Sequence, residues 1–417
     1  MESVPLPEFA SAPENRPTVR SVNDADAAES NRHLRAVATR GDNGPMNLIR
    51  FAAAFFVVLG HARMIFFENY SSVNPSAIQT LFYGLTSIGH QAVVIFFVLS
   101  GYWVGGSLVR QVNRQKFTWR NYVGSRVVRL WMVLIPALLL TLLLDVIGRH
   151  WFGWMSTYRG SPVYNGLVPP AELPITAPTF FGNALFLGAI RVPTFGSNTS
   201  LWSLGYEFWM YVLAAFVVLG IFRRKRAIAI WALLFLLTTI VVGLDVLSYL
   251  PIWLAGTGVA VLRPRIERSR LIENGKLMTC LRWLLVAATF GVSLAVRGLH
   301  VSTSVSDYLV AIVCVLLLAS MTTGFENRRW SMGPVGYLSG LANSSYSLYA
   351  IHAPILVLVA SVWGIRLGHR WPSDPEHWIA LFAITVGLVM IALLFARVFE
   401  DRTDSVRGYV RKLLRVK

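Results

Sequence analysis

Five stretches of the chain set polar or ionisable side chains inside apolar sequence. The first, Asn47–Phe67 (NLIRFAAAFFVVLGHARMIFF), carries Arg50 and His61 eleven residues apart. That is about three helical turns, which puts both on one face and roughly 16 Å apart along the axis. A charge near the middle of a membrane helix costs ~2.5–3.5 kcal/mol on insertion scales, so its default reading is functional. An imidazole, with an unperturbed pKa near about 6.5, suits proton transfer at neutral pH. In Val93–Gly106 (VVIFFVLSGYWVGG), Ser100 and Gly101 interrupt an apolar helix. The glycines let helices approach closely, while Ser100 bonds its own backbone or lines a cavity. Arg126 and Arg129 of Ser125–Trp131 (SRVVRLW) are i,i+3 neighbours at the mouth of a span, with Arg110 and Arg120 nearby. Guanidinium groups hold phosphate oxygens in bidentate fashion, and the phosphate can belong to lipid or to a small molecule. Glu207 lies about two turns inside Asn198–Leu213 (NTSLWSLGYEFWMYVL), and His352 lies inside Asn343–Leu356 (NSSYSLYAIHAPIL). The structural alternatives are a buried ion pair for Glu207 and a satisfied core histidine for His352.

These side chains need elements that cross a bilayer. Of 417 residues, 55% are hydrophobic and 14% charged, with mean hydropathy +0.54; a soluble domain averages about 25% charged. Apolar windows long enough to span recur from Asn47 onward, so the fold class is an all-α polytopic membrane protein. Ten spans fit, at 47–67, 88–108, 127–147, 201–222, 227–246, 247–262, 279–297, 306–324, 344–365 and 378–397, with the fifth and sixth turning at Ser248–Pro251. Gly182–Ile190 is apolar but too short to cross, as a re-entrant or interfacial piece would be. Placing the N-terminus inside puts about four in five of the 38 Lys and Arg on the cytoplasmic side, which makes both termini cytoplasmic.

Three regions follow: residues 1–46 as a disordered cytoplasmic tail, 47–400 as the transmembrane domain, and 401–417 as a basic tail on the inner leaflet. The long outer segment near 148–200 holds Trp151, Trp154, Tyr158 and Tyr164, which fit either an interfacial aromatic belt or contacts to an acceptor. The net charge of +17 matches loops facing anionic lipid, and no nucleic-acid-binding spacing accompanies it. Cys280 and Cys314 sit in apolar windows without CxxC or Cys/His clustering, so they read as small buried hydrophobes, with no metal site.

The ordered set of motifs resembles the acyltransferase-3 family of integral membrane acyltransferases, which includes bacterial O-acetylases of surface polysaccharides. Arg50 to His61 has that family's R-x10-H spacing, and Phe96–Tyr102 (FFVLSGY) resembles its FFxLSGF stretch. Arg126–Arg129 resembles its RxxR, Leu201–Trp209 its LWSLxxEExF block, and Ser345–His352 its SYSLYLxH block. Tyr102 stands where Phe is usual, and Phe208–Trp209 replaces the acidic-aromatic pattern after Glu207. The resemblance is to members without an appended SGNH esterase-like domain.

It implies transfer of an acyl group, most often acetyl, from cytoplasmic acyl-CoA to a hydroxyl of a cell-surface or lipid-linked glycan, at the bacterial inner membrane. His61 would be the catalytic histidine, with Glu207 and His352 supporting the site; if the fold brings Glu207 to His61, its carboxylate would fix the imidazole tautomer or stabilise the imidazolium. Arg50, Arg126 and Arg129, with Ser100, would face the CoA donor. Acylation of a small-molecule acceptor is a variant of the same chemistry. The rival class is a glycan or acyl-donor transporter, but the paired interrupted helices of two related halves are not evident in the sequence.

Overall fold

The computed structural model describes residues 44–153, 158, 174–222, 227–268, 275–299, 301–322, 341–365 and 370–413. Residues 1–43 of the expected tail, Trp154 and Tyr164 lie outside the described residues. Helix follows helix throughout: α1 (Gly44–Phe66), α2 (Ala77–Leu85), α3 (Gly89–Ser100), α4 (Gly106–Asn113), α5 (Trp119–Phe152), α6 (Ala177–Ala184) and α7 (Trp202–Phe222). Then come α8 (Ile228–Val242), α9 (Leu244–Glu267), α10 (Gly275–Gly298), α11 (Thr303–Met321), α12 (Ser345–Val362), α13 (Pro375–Val398) and α14 (Thr403–Leu413). Among the described residues no β-strand forms.

Nine helices among the described residues are long and apolar enough to cross a membrane. The expected fifth span is the exception, because α8 has only 15 residues. The break after it also falls elsewhere than expected. Gly243, at φ +86°, ends α8, whereas Ser248–Pro251 continues as helix inside α9. Only glycine takes that φ without strain, and interior prolines are tolerated in membrane helices because neighbouring groups re-satisfy the freed carbonyls. Polar caps set other boundaries: Thr118 accepts from the Asn121 N–H at the start of α5, and Thr176 with Thr179 forms a capping box at α6.

Between α3 and α4 the chain forms a π-helical turn at Gly101–Gly105. The cause is close packing on α9. A Cβ on Gly101 would overlap the Trp253 carbonyl, and one on Gly256 would overlap the Val98 carbonyl. The Thr257 hydroxyl donates to the Gly101 carbonyl at 3.0 Å, a carbonyl that regular helix pairing would otherwise occupy. Small residues thus bring α3 and α9 into backbone contact, as the sequence spacing predicts. Trp253, fully buried, fills the space behind them.

The segment before α7 runs along the bundle instead of lying free. Trp131 and Trp209 donate from their indole nitrogens to the Ala184 and Phe186 carbonyls, and Phe186 stacks on Phe208 at 4.2 Å. Cys314 is buried, but Cys280 is on the exposed side of α10. The expected basic tail begins as helix α14, which packs against α5.

Candidate active site

Arg50, Ala54, Val57 and His61 share one face of α1, and the two apolar members between the polar ones are buried. That face looks at α12 and the turn preceding it. The Arg50 Nη2 donates to the Ala342 carbonyl at 2.6 Å, and its guanidinium lies 5.5 Å from the Trp103 ring centroid. Arg50 Nε is buried without a hydrogen-bond partner among the described residues.

At the other end, His61 Nδ1 lies 2.8 Å from His352 Nε2, with the rings stacked at 5.0 Å. The backbone of α12 decides where the protons go. His352 Nδ1 is 2.7 Å from the Tyr349 carbonyl and 3.2 Å from the Leu348 carbonyl. Carbonyl oxygens only accept, so Nδ1 of His352 carries the proton and its Nε2 offers a lone pair. His61 Nδ1–H therefore donates to His352, which leaves the lone pair of His61 on Nε2. His352 is fully buried, while His61 remains partly accessible. The arrangement is an imidazole with its tautomer set by a second histidine, chemically able to act as a base or nucleophile through Nε2.

Of the two expected supports, His352 is the one that meets His61; Glu207 does not hydrogen-bond it. The Glu207 Oε1 instead accepts from Ser100 Oγ at 2.7 Å and from the Tyr211 hydroxyl at 2.5 Å. Trp253 Nε1 donates to Ser100 Oγ at 3.2 Å. Ser100 is therefore engaged with Glu207 at the π-turn. Tyr211 lies one turn beyond Glu207 on α7, and the pairing could be read from that i,i+4 spacing.

Arg129 lies within electrostatic reach of Glu207, Tyr211, Tyr346 and Glu400, and Arg50 lies within reach of Arg129, Glu400 and Glu207. Arg129 is solvent-accessible despite these charged neighbours, so the cluster is open to the medium at this residue. Arg126 is placed differently, over the Tyr122 ring at 5.4 Å, with Nε buried and unpaired among the described residues. Two carboxylates, Glu207 and Glu400, thus face two arginines, and an anionic ligand would compete with them for the guanidinium groups.

Three sets of residues escaped the sequence reading. Glu400, at the end of the last span, accepts from the Ser347 N–H at 3.2 Å and hydroxyl at 2.6 Å and faces Arg50 and Arg129. Tyr349 donates to the Ser200 carbonyl at 2.7 Å and accepts from Ser203 at 2.6 Å, which fastens the start of α7 to the helix carrying His352. Asn198 adds a bond to the Ala350 carbonyl. His90 Nε2 pairs with the buried Asp307, whose carboxylate also accepts from Tyr249. Ionisable residues within apolar windows were the available signal for His90 and Asp307.

A histidine pair at one end of α1 and a cluster of arginines and carboxylates at the other thus lie within one polytopic helical bundle. Residues 44–397 match the acyltransferase domain family, and the chain belongs to it. An O-acetyl transferase of Shigella phage Sf6 is 26% identical over 212 residues, which cover 49% of this chain and 56% of that protein. The chain thus matches little more than half the length of that relative. No solved structure matches.

Proposed function

We propose that the protein moves an acyl group, acetyl in the first instance, from cytoplasmic acyl-CoA to a hydroxyl of a cell-surface or lipid-linked glycan at a bacterial inner membrane. The observation that supports this reading is the His61–His352 pair, which leaves a lone pair on His61 Nε2 at the opposite end of one helix face from Arg50. Both termini face the cytoplasm, so the Arg50 end of α1 is the donor side. Arg50 and Arg129 meet the CoA phosphates, with Arg126 at the rim, and the pantetheine arm rises toward His61. The eleven-residue separation corresponds to roughly 16 Å, a distance of the order an extended pantetheine covers.

His61 Nε2 takes the proton of the acceptor hydroxyl as its oxygen attacks the thioester carbonyl. The C–S bond breaks, and the CoA thiolate recovers the proton from the imidazolium. His352 stays neutral throughout, and its Nε2 accepts the Nδ1–H bond that strengthens as His61 becomes charged. Glu207, held by Ser100 and Tyr211, balances Arg129 in the cluster.

The test is purified protein with radiolabelled acetyl-CoA and a panel of glycans. Label passes to glycan with the native chain and not with His61→Ala. Transfer that survives His61→Ala removes the role given to that residue. Weakened CoA binding in Arg129→Ala supports the donor site, and unchanged affinity removes Arg129 from it.

A further inference from the structure

A cavity of about 300 Å³ lies between α1, α3, α10 and α11, on the side of α1 away from Arg50 and His61. Its α1 wall centres on Ala52 and Phe56, roughly 140° around the helix from the Arg50–His61 stripe at 3.6 residues per turn. It is therefore separate from the face that carries Arg50 and His61. Along α10 the lining residues recur at helical spacing from Thr279 to Ser293, and along α1 from Pro45 to Phe56. Those stretches are roughly 21 and 16 Å long, close to the ~15 Å depth of one leaflet's hydrocarbon.

The outer wall is thin. Only 17% of the apolar window of α10 is buried, the least of the nine spans, and Trp283 and Leu284 are 68% and 64% exposed. The slot is thus reached from the lipid side. One end carries a cation: Arg282 lines it, held by Nε and Nη2 bonds to the Ser320 carbonyl, with Lys276 exposed less than two turns away. Gln91 closes the far end, its Nε2 3.5 Å from Ser306 and its Oε1 buried without a partner. This polar floor marks where a hydrocarbon chain must stop.

We propose that this slot holds one acyl chain of an anionic glycerophospholipid, with the phosphate at the Arg282 end. Basic pockets between membrane helices bind such headgroups, and an apolar slot one leaflet deep accepts the chain without stranding polar groups. The bound chain presses on the back of α1 and so supports the helix that carries His61.

The experiment needs no acyl transfer, so its outcome is independent of the proposed function. The full chain is reconstituted in vesicles of phosphatidylethanolamine and phosphatidylglycerol, with a phosphatidylglycerol probe bearing a diazirine in one chain. After irradiation, cross-links are mapped by mass spectrometry. Labelling is expected to concentrate on the slot-facing residues of α10 and α1, and Ala52→Phe should abolish most of it by placing a ring in the slot. Ala92→Phe fills the slot from α3 and gives the same loss if Ala52→Phe fails to fold. Labelling spread evenly over all lipid-facing helices overturns the proposal, as does labelling that both folded variants retain. Equal labelling by a phosphatidylcholine probe overturns the anionic headgroup. Displacement of the probe by palmitoyl-CoA, without displacement by unlabelled phosphatidylglycerol, would assign the slot to a donor chain instead.

Discussion

Replacing His352 by leucine tests the central inference, because it removes one acceptor atom from a residue that need not touch substrate. In the native site the His61 Nδ1–H is paired at 2.8 Å, and the tautomer follows from the Tyr349 carbonyl behind His352. Leucine leaves that N–H without its partner and frees the proton to move to Nε2, where it blocks the base. Hydrogen bonds to a charged group contribute about 1.5–3 kcal/mol. At about 1.36 kcal/mol per factor of ten, loss of the bond to the developing imidazolium lowers kcat roughly 10- to 150-fold. The donor contacts proposed for Arg50 and Arg129 are remote from the change, so KM for acetyl-CoA should stay within about twofold of native, since only transition-state stabilisation is lost. Glutamine at the same position retains an acceptor oxygen, and His352→Gln should recover part of the rate. Release of CoA measured at saturating donor gives both constants, with thermal unfolding of each variant as the check on folding. A leucine variant that folds and turns over within about twofold of native refutes the tautomer argument. Equal losses in kcat for leucine and glutamine would reduce His352 to a packing residue.

The remaining predictions concern the supports of the site. Tyr211→Phe removes one donor to Glu207 and is expected to destabilise by about 1–3 kcal/mol, read as a lower melting temperature in detergent; an unchanged value removes the Tyr211 bond from the structure's stability. Gly256→Ala pushes a methyl group into the Val98 carbonyl and should cost about 1–3 kcal/mol as overpacking, whereas Gly258→Ala, with open space around it, should unfold like the native chain in the same assay. Asp374 caps α13 from outside the span, and the His377 N–H and imidazole hold its carboxyl below the usual carboxylate range. A depressed carboxyl contributes stability above its unfolded pKa, near about 3.9, and loses it as pH falls through the folded value. Asp374→Ala should therefore lower stability by about 1 kcal/mol near neutral pH, with the difference from native vanishing in strong acid; a difference that persists there refutes the linkage.

How much of this was legible in the sequence depends on whether the information was local. The R-x10-H face of α1 could be read because periodicity within one helix fixes which residues share a face. The close packing at Gly101 could be read because small residues in an apolar run have few other uses. Which faces meet is set by tertiary packing, and there the sequence left the matter open: Glu207 and His352 were both candidates to support His61, and α12 supplies His352. Arg126 and Arg129 looked equivalent at i,i+3, yet only Arg129 reaches the charged interior, because Tyr122 shelters Arg126. The turn expected at Ser248–Pro251 followed the usual rule that proline breaks a helix, and Gly243 broke it instead. Glu400 gave no signal, since an acidic residue at the end of a span resembles ordinary flanking sequence. Its role emerges only when α13 brings it beside Ser347.

One consequence of the packing bears on how the two ends of the site are kept apart. Arg50 bonds the carbonyl of Ala342, and His61 bonds His352. Eleven residues separate the first pair on α1, and ten separate the second on α12 and the turn before it. The two segments therefore run parallel and nearly in register, tied at both ends. A single helix could slide or rotate against its neighbours by a fraction of a turn. Two parallel helices tied about three turns apart cannot do so without breaking both contacts. Ser200, Ser203 and Asn198 then brace α12 from the start of α7, so the helix with the second histidine is itself anchored. Preorganisation of this kind matters because misplacing a reacting group by about 1 Å can cost roughly 100-fold in rate. The distance between Arg50 and the imidazole is thus a property of the pair α1–α12, set by two contacts and not by α1 alone.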